Sequence, residues 1–209
     1  LRSFRIGTLA GGICRVAMNA VPFLLPLMLQ VGFGMSPIAS GSITFVSSIS
    51  SVFMRLLSSR LLPRYGFDRI LIGSAIAGSA ALAGFAILEP GMPHWALLLY
   101  VFVFGLTRSI QFMTSNTLSY ADMPNERLSR ATSLGGALQQ LSVSFGVTLS
   151  AVLLSAVSIH DRLLTPARFH EVFLLTAVLP LLAIPVFMRL RPEDGAQVSG
   201  YRSLETRED

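Results

Sequence analysis

Apolar residues fill six long stretches of the chain, and polar and charged residues collect in the short segments between them. A helix that crosses a lipid bilayer needs about 20 mainly apolar residues. By this criterion the pattern predicts six membrane-spanning helices, over roughly residues 5–31, 38–59, 70–88, 94–120, 132–157 and 171–189. We therefore predict an all-α integral membrane protein.

The amino-acid composition also indicates a protein that is surrounded mainly by lipid. The chain has 209 residues, of which 52% are hydrophobic and only 13% are charged, and its mean hydropathy is +0.64. A soluble domain usually carries roughly a quarter charged residues. The alternative, a large soluble helical bundle, would also mix its charges along the whole chain. The long uncharged stretches therefore favour a bundle that packs in lipid.

The distribution of arginine predicts the orientation of these helices. All sixteen basic residues are arginine, and positively charged residues in short loops concentrate on the cytoplasmic side of a membrane. A cytoplasmic N-terminus leaves only Arg162 and Arg168 in the outer loops. Both termini are then cytoplasmic. We divide the chain into a membrane bundle over residues 1–191 and a polar, disordered cytoplasmic tail over residues 192–209.

Two arginines, Arg15 and Arg108, lie deep inside predicted spans. A charge near the bilayer centre costs about 2.5 kcal/mol or more, so it indicates a function by default. We expect both arginines to line a water-filled cavity that binds substrate, together with the polar residues on the same helical faces, Asn19, Gln111, Ser115 and Asn116. The structural alternative is that the arginines bond backbone carbonyls and lock the bundle.

The predicted spans contain no mid-depth Asp or Glu, because the carboxylates near them lie at span boundaries. A counter-ion for the two arginines must therefore come from an absent partner helix or from an anionic substrate. We find no catalytic group, no metal-ligand spacing, no phosphate-binding glycine loop and no basic track for nucleic acid. We predict neither an enzyme nor a cofactor, and no metal or nucleic-acid partner.

Several segments of the chain resemble, in their order and spacing, segments of one protein family. They are Pro22-Phe-Leu-Leu-Pro-Leu-Met-Leu-Gln30, Gly34-Met-Ser-Pro37, Arg64-Tyr-Gly-Phe-Asp-Arg69, Asn116-Thr-Leu and Leu138-Gln-Gln-Leu-Ser-Val-Ser-Phe-Gly146. The chain resembles the C-terminal six helices of the major facilitator superfamily, in particular its fourteen-span drug:proton antiporter branch. The resemblance covers roughly residues 4–190. It implies a six-helix half of a transporter bundle in a bacterial plasma (inner) membrane.

One inner segment resembles the cytoplasmic motif of that family. Arg64 and Gly66 match the arginine and glycine of the motif, and Arg69 follows them. Ser59 and Pro63 stand where the motif has a glycine and an aspartate, so the pattern is degraded. We expect either a conformational latch or a positively charged turn that fixes topology.

The resemblance implies a secondary transporter that exports small, drug-like organic molecules by alternating access and proton coupling. The two arginines without a matching carboxylate instead favour an anionic or zwitterionic substrate. Its partners would be the substrate, protons, the lipid bilayer and a missing N-terminal half. The chain begins at Leu1 without a methionine, so we expect a longer protein. Two alternatives stay open: a truncated half that acts as an inert or assembly module, and an importer of organic anions.

Overall fold

The computed structural model describes residues 2–158, 164–190 and 194. Its main helices are α1 (Arg2–Met18), α2 (Val21–Leu27), α3 (Pro37–Gly84), α4 (His94–Ala121), α5 (Asn125–Val157) and α6 (Pro166–Phe187). Within the described residues, six segments are long and apolar enough to cross a membrane. The prediction of an all-α integral membrane bundle is therefore confirmed. The predicted tail, residues 192–209, lies outside the described residues except for Asp194.

The first span is a broken helix. Helix α1 ends at Met18, and α2 begins at Val21 and continues into a wide π-helical turn over Met28–Gly32. Pro22 has no backbone N–H, and its ring crowds the carbonyl four residues earlier, which is that of Met18. The α-helix therefore stops at Met18, and the break exposes the side chain of Asn19 to α4.

The second and third spans are separated by a turn much shorter than the predicted loop over residues 60–69. Helical structure continues from Pro37 to Gly84, apart from Gly66, where φ is 75° and ψ is 171°. Only glycine adopts this conformation readily. Both segments pack against α4: Ser50 of residues 37–65 packs at Gly105, and residues 67–84 run antiparallel to α4, since Ser74 bonds Gln111 and Ala81 accepts from Tyr100.

The last two spans begin earlier than the pattern predicted. Helix α5 starts directly after Pro124, and α6 starts with Pro166 after Thr165. Proline suits the first turn of a helix, where its missing N–H would have no partner. Helix α6 continues through Pro180 and Pro185, so neither proline interrupts the last span.

An aromatic cluster forms the centre of the core. The Phe85 ring stacks on Phe173 of α6 with a centroid separation of 4.8 Å and meets Phe104 of α4 edge-on at 5.2 Å. Helices α1, α3, α4 and α6 thus pack around one apolar centre. By contrast, only 17% of the most apolar stretch of α5 is buried. Most of α5 is therefore available to lipid or to further chain.

Candidate functional site

A cavity of about 660 Å³ lies between α4 and the first part of α3. On α4, its wall is formed by Arg108, Phe112 and Asn116, which are spaced four residues apart and so share one helical face. The wall contributed by α3 carries three serines and a methionine: Ser47, Ser48, Ser51 and Met54. The cavity therefore combines one positive charge, an aromatic ring and several hydroxyl groups.

A second cavity, of about 280 Å³, adjoins the first and shares Ser47, Ser48 and Arg108 with it. The broken first span forms its other wall, with Pro22 and Pro26 among the lining residues. Arg108 therefore stands between two connected spaces, about halfway along the 28-residue helix α4. The break in the first span contributes directly to the shape of this site.

Arg108 is only partly satisfied by the protein. Its Nη2 donates to Asn19 Oδ1 at 3.1 Å, and its guanidinium carbon lies 5.1 Å from the centroid of the Phe112 ring. Its buried Nε has no hydrogen-bond partner in the part of the chain that the structure describes. Arg108 is thus a cation with spare donor capacity at a cavity wall.

Arg15 has a different environment, because it is buried between α1 and α4 with only 6% of its surface exposed. Its Nη2 donates to Asn116 Oδ1 at 2.5 Å and to the Phe112 carbonyl oxygen at 3.3 Å. Gln139 Nε2 of α5 donates to the same Asn116 Oδ1 at 2.7 Å. Arg15 therefore helps to join three helices behind the cavity wall rather than facing the cavity.

Both guanidinium groups lie close to one aromatic ring. Arg15 and Arg108 place their Cζ atoms 5.3 and 5.1 Å from the Phe112 centroid. The two charges are therefore within about 10 Å of each other, where an effective dielectric of about 20 gives a repulsion of roughly 1.7 kcal/mol. Among the described residues, neither arginine forms an ion pair. An anion in the cavity would relieve this repulsion.

The remaining predicted site residues lie in contacts between helices. Gln111 is fully buried and accepts a hydrogen bond from Ser74 of α3. Ser115 packs against Gly11 of α1. Gln111 lies three residues after Arg108 and Ser115 lies seven after it, and both side chains contact neighbouring helices. Phe112 and Asn116, four and eight residues after Arg108, line the cavity instead.

Sequence reasoning also missed two contributors to the site. The first is Phe112, which contacts both arginines. The second is the serine face of α3, which a run of hydroxyl residues over 40–51 could have indicated. Serine is common in packed membrane helices, so the run alone does not separate a cavity wall from a helix contact.

The predicted inner motif lies at the turn of α3. Arg64 and Arg69 are exposed, and the Arg64 guanidinium carbon lies 5.6 Å from the ring centroid of the adjacent Tyr65. Gly66 is buried and provides the change of chain direction. The glycine thus has a defined conformational role, and the arginines form a charged end to the helix pair.

Comparison with known proteins matches the chain to one family and to proteins that are named as transport or resistance proteins. A family model described as "Major Facilitator Superfamily" matches residues 7–207. The "Putative multidrug resistance protein MdtD" of Pectobacterium atrosepticum is 30% identical over 195 residues, which is 91% of this chain and 42% of that protein. The MdtD of Klebsiella pneumoniae strain 342 is 30% identical over 195 residues, covering 92% of this chain and 41% of the relative.

A third relative carries a broader name. The "Probable transport protein HsrA" of Haemophilus influenzae is 29% identical over 198 residues, covering 93% of this chain and 42% of the relative. These relatives are named as transport or resistance proteins rather than as enzymes. The chain spans about two fifths of the length of the curated relatives that it matches.

Proposed function

The chain belongs to the Major Facilitator Superfamily, and we propose that it forms one half of a transporter that exports small organic anions across a bacterial plasma membrane. Arg108 would bind the anionic group of the substrate, with the serine face of α3 and the Phe112 ring completing this wall of the site. The observation that carries the proposal is the position of Arg108 at the wall of a 660 Å³ cavity, without an ion pair among the described residues.

Three arguments support an anionic substrate. Among the described residues, the Arg108 guanidinium donates one hydrogen bond, to Asn19, and forms no ion pair, which favours a negatively charged ligand that accepts hydrogen bonds. Arg15 adds a second positive charge behind Phe112. The carboxylates among the described residues lie near the ends of the spans, whereas Arg108 lies about halfway along α4. A lipophilic cation would meet electrostatic repulsion at this wall.

The proposed direction of transport is export, and the proposed energy source is a proton gradient. Export is suggested by the names of the relatives, which refer to multidrug resistance. Proton coupling by alternating access is our proposal for the intact protein, with the titrating carboxylate in the half that the longer relatives possess. Both termini would be cytoplasmic, as the arginine distribution predicts.

The proposal is tested with the full-length protein that contains this chain, reconstituted into liposomes with an imposed pH gradient. We expect transport of a fluorescent organic anion and weak transport of a cationic dye of similar size. Arg108→Gln should raise KM for the anion about 10- to 150-fold, since a hydrogen bond to a charged group contributes about 1.5–3 kcal/mol. Arg130→Gln, at the exposed start of α5, is the matched control.

Each contrary outcome has a defined meaning. Normal export of cationic dyes by both the parent protein and Arg108→Gln would overturn the anionic assignment. Accumulation of the anion against the predicted direction would favour an importer. A native protein no longer than this chain, with no flux after reconstitution, would favour the inert or assembly module.

A further inference from the structure

A separate cavity of about 640 Å³ lies between the first turns of α1 and the end of α6, on the side predicted to be cytoplasmic. Three arginines and three aliphatic residues line it, and we name it the α1/α6 groove: Arg2, Arg5, Ile6, Leu9, Val186 and Arg189. We propose that this groove binds an anionic phospholipid, with the phosphate on the arginines and an acyl chain along the aliphatic residues.

The order of residues along the groove matches the order of groups in a lipid. On α1, Arg2, Ile6 and Leu9 follow one another at spacings of four and three, so they lie on one face. The helix rises about 1.5 Å per residue, which places Leu9 roughly 10 Å deeper than Arg2. On α6, Val186 likewise lies one turn before Arg189. Charge therefore stands at the membrane surface, and apolar surface leads inward.

The protein neutralises the arginines only in part. Arg2 donates to the backbone carbonyl oxygen of Arg189, which fixes the two helix ends together. Its Nε lies 3.9 Å from Asp194 Oδ2, and 44% of the Arg2 side chain remains exposed. The Asp194 side chain is only 16% exposed, but the exposed Arg2 partner and the long separation keep this pair weak and screened by salt. Within the part of the chain that the structure describes, the groove therefore keeps an excess of positive charge for an external anion.

The apolar half of the groove identifies the source of that anion. Leu9 is 61% exposed although it lies within a spanning helix, so it offers aliphatic surface to an acyl chain. A free phosphate would gain nothing from this surface. The cytoplasmic leaflet of a membrane is rich in anionic lipid, and basic pockets between spanning helices bind such headgroups. An anionic phospholipid satisfies both parts of the groove.

The test measures binding of fluorescent phosphatidylglycerol to the full-length protein in a neutral detergent. We expect phosphatidylglycerol to compete at least tenfold better than phosphatidylcholine, and inorganic phosphate to displace the probe poorly. Each arginine near an anionic headgroup contributes roughly fivefold to binding. The triple variant Arg2→Gln, Arg5→Gln and Arg189→Gln should therefore bind about 100-fold more weakly, and the corresponding triple lysine variant should retain binding.

Matched controls separate a defined site from general charge. Arg127→Gln with Arg130→Gln removes two exposed arginines from the start of α5, on the same predicted side, and should leave binding unchanged. If the triple variant is not monodisperse, Arg5→Gln alone should still weaken binding about fivefold. Unchanged binding in Arg5→Gln and the triple variant, an equal loss in the α5 control, or efficient displacement by phosphate would overturn the proposal.

Discussion

The contact between Arg15 and Asn116 leads to a quantitative prediction about how this bundle is held together. Asn116 Oδ1 accepts hydrogen bonds from Arg15 of α1 and from Gln139 of α5, so one amide oxygen joins three helices. We expect Asn116→Leu to destabilise the full-length protein, because it leaves the buried Arg15 donor and the half-buried Gln139 donor without this acceptor. An unsatisfied buried donor costs about 1–3 kcal/mol.

A double-mutant cycle isolates the energy of the pair. Hydrogen bonds between membrane helices average about 0.6 kcal/mol, with a maximum near 1.7 kcal/mol. A charged donor roughly doubles the strength of a hydrogen bond. We therefore expect a coupling of about 1–2 kcal/mol between Arg15→Met and Asn116→Leu. The double variant should be less destabilised than the sum of the two single variants.

The assay is equilibrium unfolding of the full-length protein in mixed micelles with increasing denaturing detergent. Thr117→Val combined with Arg15→Met is the control pair, because the Thr117 hydroxyl bonds the Met113 carbonyl of its own helix at 3.0 Å. Its effects should add within about 0.3–0.5 kcal/mol. Additive effects of Arg15→Met and Asn116→Leu would refute the reasoning, since the two side chains would then not be joined in the intact protein.

Two glycines give further predictions, which the same unfolding assay checks. Gly11→Ala should destabilise by about 1–3 kcal/mol, because the new Cβ would lie 2.8 Å from Ser115 Cβ and force α1 and α4 apart. The control Gly136→Ala, which meets nothing within 4 Å, should be neutral or stabilising, and an equal loss there would contradict the packing argument. Gly66→Ala should cost about 1–3 kcal/mol because φ is 75°. Gly73→Ala, in open helical surface, should cost nothing, and similar stability of both variants would refute the strain argument.

The fold class was predictable because a spanning helix is a local property. Twenty apolar residues in sequence suffice to predict it, whatever they later contact. A proline within a span does not by itself predict a break, since Pro22 accompanies a break in the first span whereas α6 continues through Pro180 and Pro185. Proline removes one hydrogen bond in each case, but neighbouring helices decide whether the backbone tolerates the loss.

The candidate site was predictable only in part. The two arginines could be recognised from their depth within the predicted spans alone, and the structure brings Arg15, Asn19, Arg108 and Asn116 close together. Helical spacing suggested Gln111 as a neighbour of Arg108, but Gln111 bonds Ser74 of α3 instead. The spacing of residues along one helix predicts which side chains share a face, but it does not predict which neighbouring helix packs against that face.

The sequence by itself determined that six helices cross the membrane and that Arg15 and Arg108 lie deep within them, because hydropathy and depth depend only on neighbouring residues. Only the tertiary structure decided that Arg108 lines a cavity with the serine face of α3, while Arg15 is bonded to Asn116 behind its wall. The physical reason is that each arginine's partner lies about 90 to 100 residues away along the chain. Such contacts depend on how the helices rotate and pack against one another.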